Sequence, residues 1–269
     1  LALDCPIVAV GGTNGKGSTC AMLETILDLA GYRVGCYTSP HLLRYNERVR
    51  IRRTAASDEA LINGFEAVEA ARDEVPLTYF EFGTLAAAWV FRKLGVQAAI
   101  LEVGLGGRLD AVNAFDADCA IVTSVALDHQ DYLGSTREAI GFEKAGIYRP
   151  GRPAIFAALD PPQRLVRYAE DIGASLLLYG RDFSFVRQEL QWQYHGRNRR
   201  HHALPYPSLR GPYQLYNASA ALAALDELRL MLPVALQDIK RGLLEVELPG
   251  RLQVLPGRPA RVLDVAHNP

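Results

Sequence analysis

The sequence is poor in three features that would each have pointed to a function. Net charge is the first: 29 basic against 30 acidic side chains leave a formal −1 over 269 residues. No global field draws such a chain toward nucleic acid or an anionic membrane, so small molecules are the expected partners. Paired thiols are the second. Cys5, Cys20, Cys36 and Cys119 lie far apart, form no C-x-x-C pair and stand in apolar surroundings, the usage of buried free thiols in a reducing cytosol. Long apolar runs are the third: none reaches the ~18 to 20 residues that cross a bilayer. The opening LALDCPIVAV has neither a basic stretch nor a cleavage site. Composition thus describes a soluble, cytoplasmic protein whose length allows one large core plus a fragment.

What is present is a short β-branched run followed by an amphipathic stretch, repeated without sequence identity. That pattern writes a mostly parallel sheet flanked by helices. PIVAVGG reads as a strand, and the helix after it, from Ser18 to Ala30, puts Met22, Leu23, Ile26 and Leu27 on one side before stopping at Gly31. RVGCYTS is the next strand, followed by the irregular PHLLRYNERVRIR, a helix N-capped at Ser57 and a second helix from about Tyr79 to Leu94. QAAILEV and DCAIVTSV are apolar throughout, as strands buried on both faces are. PAIFAAL, RLVRYAEDIG and SLLLYG continue the alternation, whereas FSFVRQELQWQYH alternates with period two and predicts a small antiparallel sheet. The basic GRNRRHH at 196–202 is expected to be a solvated loop. QLYNASAALAALDELRLM is a periodic helix, and LQDIKRGLLEVELPGR runs to a Pro-Gly break at 249 and 250 that marks a domain boundary. Both ends read as cut, since ARVLDVAHNP stops just after a strand with no helix to cover it.

The richest segment is VGGTNGKGST at 10–19. A strand running into glycines and then a helix leaves backbone N–H groups unpaired at the positive end of the helix dipole, a geometry that binds phosphate. Lys16 adds a full charge, and a hydroxyl just after it can ligate Mg²⁺. The match to G-x-x-x-x-G-K-[ST] is imperfect, with Val10 in place of the first glycine and Gly17 after the lysine. On these residues alone a generic glycine turn stays open.

GTNGKGST resembles the phosphate loop of the Mur ligase superfamily, and in particular its folate branch, the folylpolyglutamate synthases and bifunctional dihydrofolate synthases. YTSPHL at 37–42, ERVRI at 47–51, TYFEFGTLAAAW at 78–89, LEVGLGGRLDAVN at 101–113, SVALDHQDYLG at 124–134, EKAGI at 143–147, LPGR at 248–251 and LDVAHNP at 263–269 agree with it in order. The resemblance implies an ATP-binding central domain over 1–249 and the beginning of a second, Rossmann-like α/β domain over 250–269 that helps to bind glutamate. It implies a monomer that uses ATP and Mg²⁺ to join L-glutamate to dihydropteroate or tetrahydrofolate through an acyl phosphate. Rival readings are a Mur ligase acting on a peptidoglycan precursor, a P-loop kinase or GTPase, and a non-enzymatic nucleotide-binding module.

Some site residues have a case of their own. Glu102 ends one strand and His129 lies just beyond another, at the carboxyl edge where open α/β sheets bind ligands; solvent exposure is the competing reading for Glu102, and Mg²⁺ favours oxygen over imidazole. The aromatic TYFEFG suits a flat ring but also a core, and Asp110 occupies a glycine-rich loop with no evident packing role. Asn217 opens a helix, as an adenine partner or a plain N-cap. Lys144 in GFEKAGI reads as an exposed helical lysine or as the partner of Glu143. The resemblance adds the rest. It implies Thr13, Asn14, Gly15, Lys16, Gly17 and Ser18 on the nucleotide phosphates, with Arg251 as a phosphate clamp, Asp264 on the ribose and His267 near the γ-phosphate. Ser39, Glu102 and His129 become metal ligands, and Thr78, Tyr79, Phe80, Glu81, Leu109, Asp110 and Ala111 contacts to the pteroate. Lys16, His129 and Lys144 are the catalytic set, with Lys144 carbamylated to give an anionic metal ligand, a modification that needs the neutral amine burial favours.

Overall fold

A computed structural model describes residues 2–265. The chain begins with β1 (Ile7–Gly11), α1 (Lys16–Leu29) and β2 (Val34–Tyr37), then β3 (Val49–Ile51) and β4 (Thr54–Ala55). Two helices follow, α2 (Asp58–Ala71) and α3 (Tyr79–Lys93), and lead to β5 (Ala98–Glu102) and β6 (Cys119–Val122). Next come α4 (Gln130–Leu133), α5 (Arg137–Ala145), β7 (Pro153–Phe156), α6 (Gln163–Asp171) and β8 (Ser175–Leu178). The last third holds β9 (Ser184–Arg187), β10 (Trp192–His195), β11 (Arg200–Leu204), α7 (Gln214–Glu227), α8 (Leu236–Glu245), β12 (Gln253–Leu255) and β13 (Arg261–Leu263).

Eight strands form one sheet in the order β4-β3-β2-β5-β1-β6-β7-β8, parallel from β2 to β8, with β3 and β4 added antiparallel at one edge. β1 lies between β5 and β6, so Val10 is opposite both Glu102 and Ile121. The loops leaving these three strands therefore open into one crevice, where such sheets place their ligands. One face is covered by α1, α7 and α8, the other by α3, α5 and α6, giving two apolar cores. Ala218, Ala220, Ala221, Ala223 and Ala224 of α7 are all buried, and side chains this small let the helix lie close to the sheet. Ser57 caps α2 by accepting the Ala60 N–H, as expected.

Four features depart from the sequence reading. α1 starts at Lys16, not Ser18, because Gly15 takes φ +92 and ends the loop early. The irregular segment after β2 contains the edge strands β3 and β4. The basic GRNRRHH is only partly a loop: residues 200–202 belong to β11, pairing with β10, and His201 is buried with its Nε2 3.3 Å from Asp226 Oδ1. Cys5 is half-buried, unlike the other three cysteines. β12 and β13 make a separate two-stranded ribbon just past the Pro-Gly break. Among the described residues no helix is long and apolar enough to cross a membrane.

Candidate active site

The phosphate loop is shaped by hydrogen bonds it makes with the end of β6. The Thr13 N–H donates to the Ser124 carbonyl at 2.9 Å, and the Asn14 N–H to the Ser124 hydroxyl at 3.0 Å. The first helical bond of α1 runs from the Thr19 N–H to the Gly15 carbonyl, so the N–H groups of Lys16, Gly17 and Ser18 have no intrahelical acceptor and form the positive end of a dipole. Lys16 Nζ folds back onto the carbonyls of Gly12 and Thr13, 3.0 and 3.4 Å away. Gly15 is required twice over: its φ is left-handed, and a Cβ there would lie 2.4 Å from Asn217 Oδ1.

These residues line a cavity of about 160 Å³ together with Ser39, Glu102, Asp128, His129, Lys144 and Arg251. Glu102, at the end of β5, is 4 % exposed, which removes the reading of a solvated strand-end carboxylate. Burial raises its pKa, opposed by Lys16, by the Ser39 N–H that donates to Oε2 at 3.1 Å, and by Arg251 and Arg50. Arg251 reaches the cavity from beyond the Pro-Gly break and passes within 3.9 Å of the place a Cβ on Gly17 would take. His129 is the left-handed residue, φ 47, that starts α4, with its side chain about half exposed. Its N–H donates to Asp128 Oδ1 at 2.9 Å.

Lys144, in the last turn of α5, is 5 % exposed, so it is no surface lysine. Burial, then the neighbouring charge of Lys16, push its amine down to about 7, against the pull of Asp128 and Asp110. Nor does it pair with Glu143, which turns away to Arg108, with Oε1 3.0 Å from Nη2. A neutral amine is thus available near pH 7, poised over the same cavity as Glu102.

The remaining expected residues fall into two groups. Thr78 and Glu81 form a reciprocal capping box at the start of α3, the Glu81 carboxylate accepting the Thr78 N–H at 2.7 Å. Tyr79 is largely exposed under the Arg48 guanidinium, and Phe80 packs against Tyr37. Leu109 is 81 % exposed. Asp110 proves to have the local role that the sequence did not show: it caps a 3₁₀ turn containing Ala111 and accepts the N–H groups of Leu105 and Val112, both at 2.9 Å. Asn217 is not an N-cap, because α7 starts three residues earlier after Tyr213. It is buried against Gly15, with Nδ2 donating to Gln214 Oε1 at 3.1 Å. Asp264 follows β13 on an exposed stretch, and His267 lies outside the described residues.

The Mur ligase middle domain profile matches residues 10–225, four fifths of the chain. The chain belongs to the Mur ligase family. Among curated proteins it is similar to the dihydrofolate synthase/folylpolyglutamate synthase of Escherichia coli, 45 % identical over 263 residues that cover 98 % of this chain and 61 % of that one. A solved structure of E. coli FolC in complex with DHPP and ADP superimposes with a TM-score of 0.92 at 45 % identity, over 98 % of this chain and 62 % of that one. A bifunctional folylpolyglutamate synthase/dihydrofolate synthase with Mn, AMPPNP and L-glutamate bound gives 0.91 at 47 % identity, over 98 % and 63 %. The chain spans about three fifths of the length of the curated relatives it matches.

Two features of this Mur ligase domain escaped the sequence reading. Thr123 and Ser124 hold the phosphate loop, and the hint was a pair of hydroxyls at the end of a strand beside β1. Arg50 ties α1 to the loop before Ser39: its Nη2 lies 2.7 Å from Glu24 Oε2 and its Nη1 3.1 Å from Thr38 Oγ1. Nothing in ERVRI singles out that arginine, because its partner lies 26 residues away.

Proposed function

We propose that the protein is an ATP-dependent ligase that adds L-glutamate to dihydropteroate, to reduced folates, or to both. The observation that carries this reading is the convergence, in one cavity, of the phosphate loop with Glu102, His129, Lys144 and Arg251, in a chain closely similar to proteins named for those two activities. The carboxylate of the acid substrate attacks the γ-phosphate, ADP leaves, and the resulting acyl phosphate is captured by the amine of glutamate with loss of phosphate. Positioning and charge neutralisation dominate such chemistry. Lys16 and the free N–H groups of α1 hold the outer phosphates, and Arg251 adds a second cation beside them.

The donor set fits Mg²⁺. Among the described residues no group of three or more His, Cys, Asp or Glu side chains gathers to hold a metal, but Mg²⁺ needs only one or two carboxylates with water and substrate phosphates. Glu102 supplies the carboxylate, and Ser39 and His129 line the same cavity. The ion, when bound, would neutralise charge on the phosphoryl group in transit. Lys144 supports a further carboxylate-like ligand, since a neutral amine adds to CO₂ and releases one proton to give a carbamate. In this reading Thr78 to Glu81 and Leu109 to Ala111 serve the pteroate, Asn217 and Asp264 the adenosine, and His267 the γ-phosphate. We assign residues 1–249 to the ATP-binding domain and 250–269 to the start of a glutamate-binding one, in a cytoplasmic monomer.

The test is ATP-dependent incorporation of labelled glutamate, comparing dihydropteroate with tetrahydrofolate. Incorporation with either acceptor supports the assignment. ATP hydrolysis that no folate stimulates, or the absence of any labelled product, overturns it.

A further inference from the structure

We infer that Thr123, assisted by Ser124, is a positioning residue that holds the phosphate loop in its anion-binding shape. The inference rests on the nucleotide-site reading above and deepens it.

Thr123 follows β6 and is 4 % exposed. Its Oγ1 lies 2.6 Å from the Asn14 carbonyl oxygen and 3.2 Å from that of Gly11. A hydroxyl has one proton to give, and 2.6 Å is a short, strong O–H···O separation, so the proton goes to Asn14. Gly11 is served in addition by the Thr123 N–H at 2.9 Å. Ser124 completes the hold, its hydroxyl accepting the Asn14 N–H at 3.0 Å and lying 3.1 Å from the Asn14 carbonyl. Both main-chain groups of Asn14, at the apex of the loop, are therefore committed to β6 and not to a ligand.

That commitment turns the next residue. With Asn14 pinned at both its N–H and its carbonyl, the chain reverses through Gly15 at φ +92 and enters α1 beside the cavity that Gly15, Lys16 and Gly17 line, with the N–H groups of Lys16, Gly17 and Ser18 left without an intrahelical acceptor. The fit allows no slack: a Cβ on Gly12 would fall 1.9 Å from Thr123 Oγ1. The same segment continues to Asp128 and His129, which line the same cavity. Thr123 thus sets the distance between the phosphate-binding and the metal-side groups without touching either ligand.

Thr123→Val keeps the shape but places a methyl group where the Asn14 carbonyl now accepts a proton, leaving that oxygen dependent on Ser124 alone. Binding of a non-hydrolysable ATP analogue, followed by calorimetry, is expected to weaken about tenfold. KM for ATP should rise in step while kcat changes by less than about threefold, since Lys16 is retained. Thr123→Ser, which keeps the hydroxyl, should restore both constants to within about twofold. If Thr123→Val does not fold, Ser124→Ala reads the same quantity through the Asn14 N–H, with an expected weakening of about threefold. Unchanged analogue binding in Thr123→Val, or Thr123→Ser as impaired as Thr123→Val, overturns the inference. A parent protein that binds no analogue overturns instead the nucleotide reading on which it rests.

Discussion

The phosphate-loop cavity and the segments proposed for the acid substrate, Thr78 to Glu81 and Leu109 to Ala111, are built differently. In the cavity, the loop proposed for the nucleotide is held by a helix start, by Gly15 and by hydrogen bonds to Thr123 and Ser124, which fix its main-chain N–H groups. In the segments proposed for the acid substrate, the polar side chains are occupied with one another and with their own backbone: Thr78 with Glu81, and Asp110 with Leu105 and Val112. Their outward-facing parts are apolar, Tyr79 and Leu109 above all. A rigid cradle made of backbone accepts only one kind of ligand. A surface of exposed rings and aliphatic groups over self-satisfied loops accepts any flat molecule of suitable outline, which suits the proposed use of more than one pterin acceptor.

Three measurements break or sharpen that contrast. Lys16→Ala should have the largest effect, a loss of roughly 100- to 1,000-fold in kcat, with an unchanged melting temperature because the side chain meets only the Gly12 and Thr13 carbonyls. Near-normal turnover in the glutamate-incorporation assay would show that the cradle is not where phosphate is stabilised. Next in size is the pH dependence set by Lys144. Its amine is charged in the unfolded chain up to the ordinary 10.5 but is neutral in the folded protein above about 7. Between those values the unfolded chain binds more protons, so stability rises with pH, by at most about 1.4 kcal/mol per pH unit, and the burial penalty is complete below the folded value. Urea denaturation from pH 6 to 10 should show this slope flattened in Lys144→Met; an unaltered slope would mean that the amine is not desolvated. The smallest effect belongs to Leu109→Ala. Nucleotide affinity should stay within about twofold of the parent and stability within about 0.5 kcal/mol, while KM for the folate acceptor rises. A matching loss of nucleotide affinity would dissolve the distinction between the two regions.

The strands and the phosphate loop were legible because their signals are local. PIVAVGG, QAAILEV and DCAIVTSV are short apolar runs, and the glycines and lysine of 11–17 adjoin one another in sequence. Glu102 was legible as a site residue because a carboxylate directly after four apolar residues, Ala98 to Leu101, needs a reason. Lys144 was legible only through the resemblance: what makes it unusual is burial beside the charges of Lys16, Asp128 and Asp110, all distant in sequence. Asn217 was placed at the opening of its helix, with adenine partner and N-cap both open, because nothing in YQLYN marks Tyr213 as the residue before the helix. The edge strands β3 and β4 were lost in an irregular stretch since each has three residues or fewer, below the length at which alternation can be counted.

Arg251 stands on the far side of Pro249 and Gly250, yet its charge is felt at Glu102. The electrostatic character of the cleft is therefore not a fixed property of the large sheet. Gly250, at φ +71, is the joint through which one guanidinium is lent to the cleft, and turning that joint outward would withdraw a positive charge from the cleft while leaving every residue of the cradle in place. In the proposed ligase, product departure would then require no loosening of the phosphate loop, only the retreat of a single counter-ion.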